Sequence, residues 1–430
     1  MLCERNVCLR QIAQGQWSAE MAFGRFVDNP RVTVEKLIEG WSQQTRFAVG
    51  GRHILAIQDT SEIKFSTTPK RRRGLGKVAK GNAHGVLLHA MLAVDASTGS
   101  CLGLTGGKVW TREGDVKTPH GKRALANRES ARWVTTAEQG KDVLAEARMI
   151  TVVDDREGDL YAHWALTPED NVHHLSRAMH DRALVNGGTL YEAVKRTPFC
   201  SEAVIELPER IDRQSRKAYL SLRFGTVTLK RPSRTGVKGL PPSVEVRFVE
   251  VVEQHPPQGA KPIHWRLLTT HAVENVADAW QIVAWYKLRW IIEQFFRSMK
   301  KQGLRIEDSQ LESAEGLIKL VAIAAKGACT VIQLVQARNG GEELPAEFVF
   351  SPEEIDTLRA INKTIQGKTE LQKNHHPTNT PAWAAWIIAK LGGWSGYASH
   401  KPPGPITIHN GLARFQILVS GRALANVLMP

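Results

Sequence analysis

The chain has 430 residues, enough for two or three domains with ample core. Lysine and arginine total 57 against 43 aspartates and glutamates, a net charge of +14 that favours a polyanionic partner, above all nucleic acid. The five cysteines (Cys3, Cys8, Cys101, Cys200 and Cys329) are odd in number and widely spaced without a CxxC pair, which excludes a zinc or disulfide framework and fits a reducing interior.

Residues 10–45 are predicted helical, with Thr33 as an N-cap before Val34. Glu4, Arg5 and Arg10 interrupt the start, so no signal peptide is expected and the protein is placed in the cytoplasm, nucleoid-associated when bound to DNA. Residues 54–57 form a short apolar run typical of a central strand, ending at Gln58-Asp59-Thr60. A basic, glycine-containing loop follows, in which Arg71, Arg72 and Arg73, with Lys77 and Lys80, are candidate phosphate contacts. The competing reading of that loop is a solvated charge run. Residues 86–94 read as a second strand, 111–127 as a polar loop, and 128–147 as a helix. Residues 149–153 are a third apolar strand, running into Asp154-Asp155-Arg156-Glu157-Gly158-Asp159.

From about residue 171 to 267 the periodicity becomes two. Leu220, Leu222 and Phe224 alternate with Ser221 and Arg223, and after Gly225 the alternation resumes with Val227 and Leu229, which predicts a hairpin there. Residues 317–337 carry Lys319 and Lys326 within an apolar stretch and read as a buried helix of a soluble protein, so no membrane partner is expected. Residues 346–430 mix helix with a stretch rich in proline and glycine.

The segment 285–300 holds the most informative pattern, Tyr286, Arg289, Glu293 and Lys300, spaced Y-x2-R-x3-E-x6-K. On a helix these steps keep Tyr286, Glu293 and Lys300 on one stripe with Arg289 beside it. Alone, this is also the pattern of a solvated ion-pair face. Two aspartates at the ends of apolar strands change its meaning, because strand ends are where α/β sheets place their chemistry. Asp59, Asp155 and Glu293 can converge only through the fold. Carboxylates without cysteine or histidine partners suit Mg²⁺, with Mn²⁺ able to substitute. A pair of such ions supports phosphodiester chemistry, with Arg289 and Lys300 holding phosphate and Tyr286 within reach of the backbone. Asp154 competes with Asp155, since adjacent strand residues face opposite sides and periodicity does not choose between them.

Asp59 in Leu-Ala-Ile-Gln-Asp-Thr, Asp155 in Asp-Arg-Glu-Gly-Asp and the Y-x2-R-x3-E-x6-K helix together resemble the DDE transposases of insertion-sequence-four type, from about Ala22 to the C-terminus. The resemblance implies an α/β fold: a ribonuclease H-like core, a mixed sheet flanked by helices, interrupted by a β-rich insertion, with a mainly helical C-terminal region. The implied domains are a short helical DNA-binding remnant (1–45), the first part of the core (46–170), the insertion (171–267), the second part with the catalytic helix (268–345), and a dimerisation region (346–430). It further implies two Mg²⁺ ions per site, held by Asp59, Asp155 and Glu293, and a homodimer in a synaptic complex with double-stranded DNA, both transposon inverted-repeat ends and target. The motif selects Asp155 over Asp154, because the family's aspartate directly precedes Arg-Glu. Tyr286, Arg289 and Lys300 match phosphate-handling residues. Arg177 falls where the family has a DNA-contacting arginine, and Trp265 on a tryptophan that stacks a flipped base. Trp290 occupies a similar position beside Arg289. The expected reaction is nicking, hairpin formation and opening, then strand transfer. Asp59 comes early for the family, whose first aspartate follows a longer segment that reads the transposon end. The alternative expectation is therefore an N-terminally shortened, non-catalytic inhibitor that binds DNA or dimerises. A related nuclease or resolvase on the same core is a third.

Overall fold

The three apolar runs become neighbouring strands of one sheet in the computed structural model. The structure describes residues 1–430 apart from 3, 66–73, 79–82, 113–128, 208–214, 234–236, 238, 301–302, 339–343, 398–399, 401 and 429–430. Arg71, Arg72, Arg73 and Lys80 of the basic loop, like most of the loop expected at 111–127, lie outside the described residues.

Four short helices lead in: α1 (Leu9–Ile12), α2 (Trp17–Asp28), α3 (Val34–Glu39) and α4 (Gln43–Ala48). The Thr33 side chain accepts the Lys36 N–H, so it caps α3 as its position predicts. The strands are β1 (His53–Phe65), β2 (His84–Asp95), β3 (Cys101–Trp110), β4 (Met149–Asp154), β5 (Val172–Arg177), β6 (Ser201–Leu207), β7 (Arg216–Lys230), β8 (Ser243–Gln254) and β9 (His264–Thr269). They form a single nine-stranded sheet in the order β3-β2-β1-β4-β5-β9-β8-β7-β6. β1 to β4 and β4 to β5 are parallel; the other pairings are antiparallel. Three antiparallel strands followed by two parallel ones are consistent with a ribonuclease H-like core in a mixed α/β protein.

Two sequence readings change. Residues 172–177, inside the span assigned to the insertion, form β5 and pair in parallel with β4. The strand's only apolar residues, Val172 and Leu175, are three apart, so no period-two pattern marks it in the sequence. Gly225 makes no hairpin: β7 runs through it, paired with β8 from Tyr219 to Lys230. A Cβ at Gly225 would lie 2.9 Å from the Phe248 ring, so glycine is needed there for close approach, not for a turn.

Alternation along β1 and β4 divides the packing between two faces. Leu55, Ile57 and Val153 pack with α8 (Val276–Leu288), α9 (Trp290–Met299) and α10 (Ala314–Ala337). Ile54, Ala56, Ile150 and Val152 pack on the opposite face, where α5 (Ala131–Val143) contributes Ala137. α6 (Tyr161–Leu166) follows β4, and α7 (Leu190–Arg196) precedes β6. α10 is long and apolar enough to cross a membrane, yet Leu317, Leu320, Val321, Ala324 and Ala328 are buried in the core. Its Ala322 carbonyl accepts the Trp41 indole N–H at 2.9 Å, tying the leading helices to the centre. Beyond it, α11 (Pro352–Thr364), α12 (Pro381–Leu391) and α13 (Pro405–Leu428) close a second cluster around Trp383, Ile387 and Phe415.

Candidate active site

Asp59 lies in the middle of β1, not at its end. The β1–β4 ladder stops at Ile57 opposite Val153, while the β1–β2 ladder continues to Phe65 opposite His84. Asp59 and Asp155 therefore lie just beyond the last shared backbone pairing. By alternation Asp59 and Asp155 fall on the face covered by α8 and α9, with Ile57 and Val153. Asp154 takes the other face, fully buried, with its Oδ2 2.8 Å from both His163 Nε2 and His174 Nε2. The Asp155 carboxylate accepts the Glu157 N–H at 2.7 Å, which caps the short turn at Arg156–Gly158 and holds the side chain in place.

The helix expected across 285–300 is broken at Arg289. The Arg289 N–H bonds to the Tyr286 carbonyl and the Ile292 N–H to the Arg289 carbonyl, tight three-residue steps that separate α8 from α9. The break leaves Glu293 in the first turn of α9. It also aims the Arg289 guanidinium at both acids: Nη1 lies 3.2 Å from Asp59 Oδ2, and Nη2 lies 2.6 Å from Glu293 Oε1. Lys300 caps the end of α9 and donates to Ser61 Oγ at 2.8 Å, two residues along β1 from Asp59. The cationic residues of the motif thus meet β1 two residues apart, Arg289 at Asp59 and Lys300 at Ser61.

Tyr286 is only 4 % exposed, and its ring meets Trp265 edge to face with centroids 5.4 Å apart. Burial raises its hydroxyl to about 12, against the opposing charges of Arg289 and Arg177. The Arg289 guanidinium carbon sits 5.9 Å from the ring centres of both Tyr286 and the half-buried Trp290. Arg177 ends β5, donates to the His264 carbonyl, and lines a cavity of about 380 Å³ with Arg156, Tyr191 and Arg266.

The acids are short of positive charge. Asp59 is raised to about 7, first by burial and then by the charge of Asp155, with Arg289 and the Thr60 N–H pulling the other way. Asp155 is also raised, mainly by burial. Two carboxylates held up in this way would be relieved by a bound cation, and an all-oxygen donor set fits a hard divalent ion. Sequence reasoning missed the polar groups behind the acids: Gln58, His89, His163 and His174 are all fully buried. Histidines within otherwise apolar strands and helices were the available signal.

The profile of the transposase DDE domain matches residues 53–325. It begins at the first residue of β1 and reaches into α10, taking in the whole sheet together with Asp59, Asp155 and Glu293. DNA is the substrate this family implies, and a divalent metal its usual cofactor. The chain belongs to the DDE transposase family.

Proposed function

We propose that this chain is a cut-and-paste DNA transposase whose site holds two divalent ions, Mg²⁺ or in its place Mn²⁺. The observation that carries the reading is the meeting of Asp59 and Glu293 at one guanidinium, with Asp155 on the same face and coupled to Asp59 by charge. Asp59, Asp155 and Glu293 would hold the ions. When bound, such a pair supplies activation of a water or 3′-hydroxyl and stabilisation of the leaving oxygen.

The remaining residues handle the DNA. Arg289, paired here with Asp59 and Glu293, becomes available to phosphate once those acids have other cations, and its planar fork suits two phosphate oxygens. Lys300 adds a point charge further along β1. Tyr286, wedged between Arg289 and Trp265, orients the guanidinium. Trp265 stacks a base extruded during hairpin formation, which offsets the stacking lost in the duplex. Trp290 supports Arg289 from its other side, and Arg177 contacts backbone at the mouth of its cavity. The reaction runs through nicking, hairpin formation, hairpin opening and strand transfer. In this reading the helices before residue 46 approach the transposon end, residues 178–263 form the insertion, and residues 346–430 pair two copies in the synaptic complex.

The test is a cleavage assay on duplexes carrying the element's own inverted repeats, with Mg²⁺ or Mn²⁺. The expected products are nicks at the transposon junction followed by hairpins. Binding to the ends without cleavage under either metal would replace this reading with that of a non-catalytic inhibitor.

A further inference from the structure

A chain of polar side chains runs from the surface to beneath the sheet, on the face opposite Asp59 and Asp155. It starts at exposed Glu157, whose carboxylate takes Arg132 Nη2 at 2.8 Å. Arg132 Nε donates to Thr60 Oγ1 at 2.8 Å, and Thr60 Oγ1 lies 2.8 Å from His89 Nδ1. His89 Nε2 lies 3.0 Å from Gln58 Oε1, and Gln58 Nε2 donates to the Trp133 carbonyl at 3.1 Å. Those two contacts fix the orientation of the Gln58 amide, because a carbonyl demands its N–H. His163 Nε2 gives its proton to Asp154 Oδ2 at 2.8 Å, so the Gln58 amide nitrogen, 3.3 Å from that ring nitrogen, packs against it without a hydrogen bond. His174 Nε2 reaches the same oxygen at 2.8 Å.

The placement of this chain gives it a task. The β1–β4 backbone ladder ends at Ile57 and Val153, so no shared main-chain bond sets the separation of Asp59 from Asp155. Gln58 and Thr60 flank Asp59, and Asp154 adjoins Asp155. Because neighbouring strand residues point to opposite faces, holding Gln58, Thr60 and Asp154 below the sheet fixes the roll of each strand and so the aim of the acid above it. Buried polar groups that pair with one another hold each other in place, and in this network Asp154 Oδ1 and His174 Nδ1 alone among the atoms of its linked side chains are buried without a partner, besides the Trp133 indole N–H. The same Asp154, His163 and His174 could be read as a buried transition-metal site. The distances favour hydrogen bonds: ligand atoms around one tetrahedral zinc stand about 3.3 Å apart, whereas both nitrogens here approach the carboxylate oxygen to 2.8 Å.

We infer that Gln58 and His163 are positioning residues that set the separation of Asp59 and Asp155 for divalent-ion binding. The inference rests on the function proposed above and concerns how this chain prepares that site. It is tested by Mn²⁺ binding to the full chain without DNA, followed by loss of the free-ion electron paramagnetic resonance signal. Wild-type binding that Asp155→Asn abolishes establishes the site itself. Against that baseline, His163→Leu and Gln58→Met are expected to weaken Mn²⁺ binding about tenfold, the size seen when groups supporting metal ligands are removed. His163→Gln, which keeps an N–H near the Nε2 position, is expected to restore most of the loss. Duplex affinity in Ca²⁺ should be unchanged throughout. Wild-type Mn²⁺ affinity in folded His163→Leu and Gln58→Met would overturn the inference alone, and Gln58→Met decides if the leucine variant does not fold. Absence of Asp155-dependent binding in the wild type would instead remove the proposed function. Zinc bound one per chain and lost in His163→Leu would overturn the positioning role in favour of a buried metal site.

Discussion

Asp59 is the residue on which the electrostatics of the site turn. Its carboxyl is raised to about 7 in the folded chain, first by burial and then by Asp155. The folded state therefore binds this proton more tightly than the unfolded state does. Its stabilising effect is complete at low pH and is lost as pH rises through about 7. In chelator, the melting temperature should fall between pH 5 and pH 8, and Asp59→Asn should flatten that fall and stabilise the chain by about 2 kcal/mol at pH 8. An unchanged slope in the variant would assign the pH dependence elsewhere. Divalent-ion affinity should move the other way, rising as Asp59 ionises. Asp59→Ala, Asp155→Ala and Glu293→Ala are each expected to abolish cleavage while leaving the melting curve cooperative; measurable cutting by any one would remove that residue from the metal site. The choice of Asp155 over Asp154 shows the limit of periodicity at this scale, since it rests on the Arg-Glu that follows Asp155. Both lie at the end of one apolar run, and the alternation set by β4 within the sheet puts Asp155 on the face of Asp59. The histidines that hold Asp154 come from α6 and β5, which no local spacing connects.

The strands beyond β5 reach the site through β9. That strand is paired with both β5 and β8 and delivers Trp265 against Tyr286. Behind it, fully buried Glu250 receives Arg223 and Arg266 at 2.5 and 2.6 Å and His264 at 2.9 Å. Burial alone would raise Glu250, but its hydrogen bonds from His264 and Arg223, with the Arg266 charge, bring it down to about 2. Its stabilisation is thus present above the usual glutamate value and lost as pH falls towards 2. Glu250→Ala leaves two guanidinium groups without their shared acid and should cost about 3–5 kcal/mol in urea unfolding at pH 7; a cost near zero would mean that solvent replaces it. Trp265→Ala should permit nicking but slow hairpin formation about tenfold or more, since base–aromatic stacking is worth about 1–3 kcal/mol. Equal loss of both steps on a gel would instead mark Trp265 as packing for Tyr286. Strand periodicity made the β character of this region legible, but not its connections. Periodicity does not mark β5, whose Val172 and Leu175 are three apart, or tell a glycine under a phenylalanine ring from a turn glycine.

At the scale of the whole molecule, the net charge of +14 and the position of the site make one quantitative demand. The acids would repel a phosphate backbone were they not accompanied by Arg289 and Lys300, with Arg177 and Arg156 lining the neighbouring cavity. DNA association should therefore be dominated by phosphate contacts, each of which releases condensed counterions from the duplex. Fluorescence anisotropy with a duplex in Ca²⁺ is expected to show affinity falling by about 10³ or more between 50 and 200 mM salt. Arg177→Ala should weaken binding similarly across sequences and reduce the logarithmic salt slope by about one, as loss of a single phosphate contact does. Arg177 is half-buried, spends one N–H on the His264 carbonyl and lines the cavity it shares with Arg156. A flat salt response would count against phosphate-dominated binding altogether. A steep response that Arg177→Ala leaves unchanged would keep DNA as the partner and move the backbone path away from the β5–β9 junction.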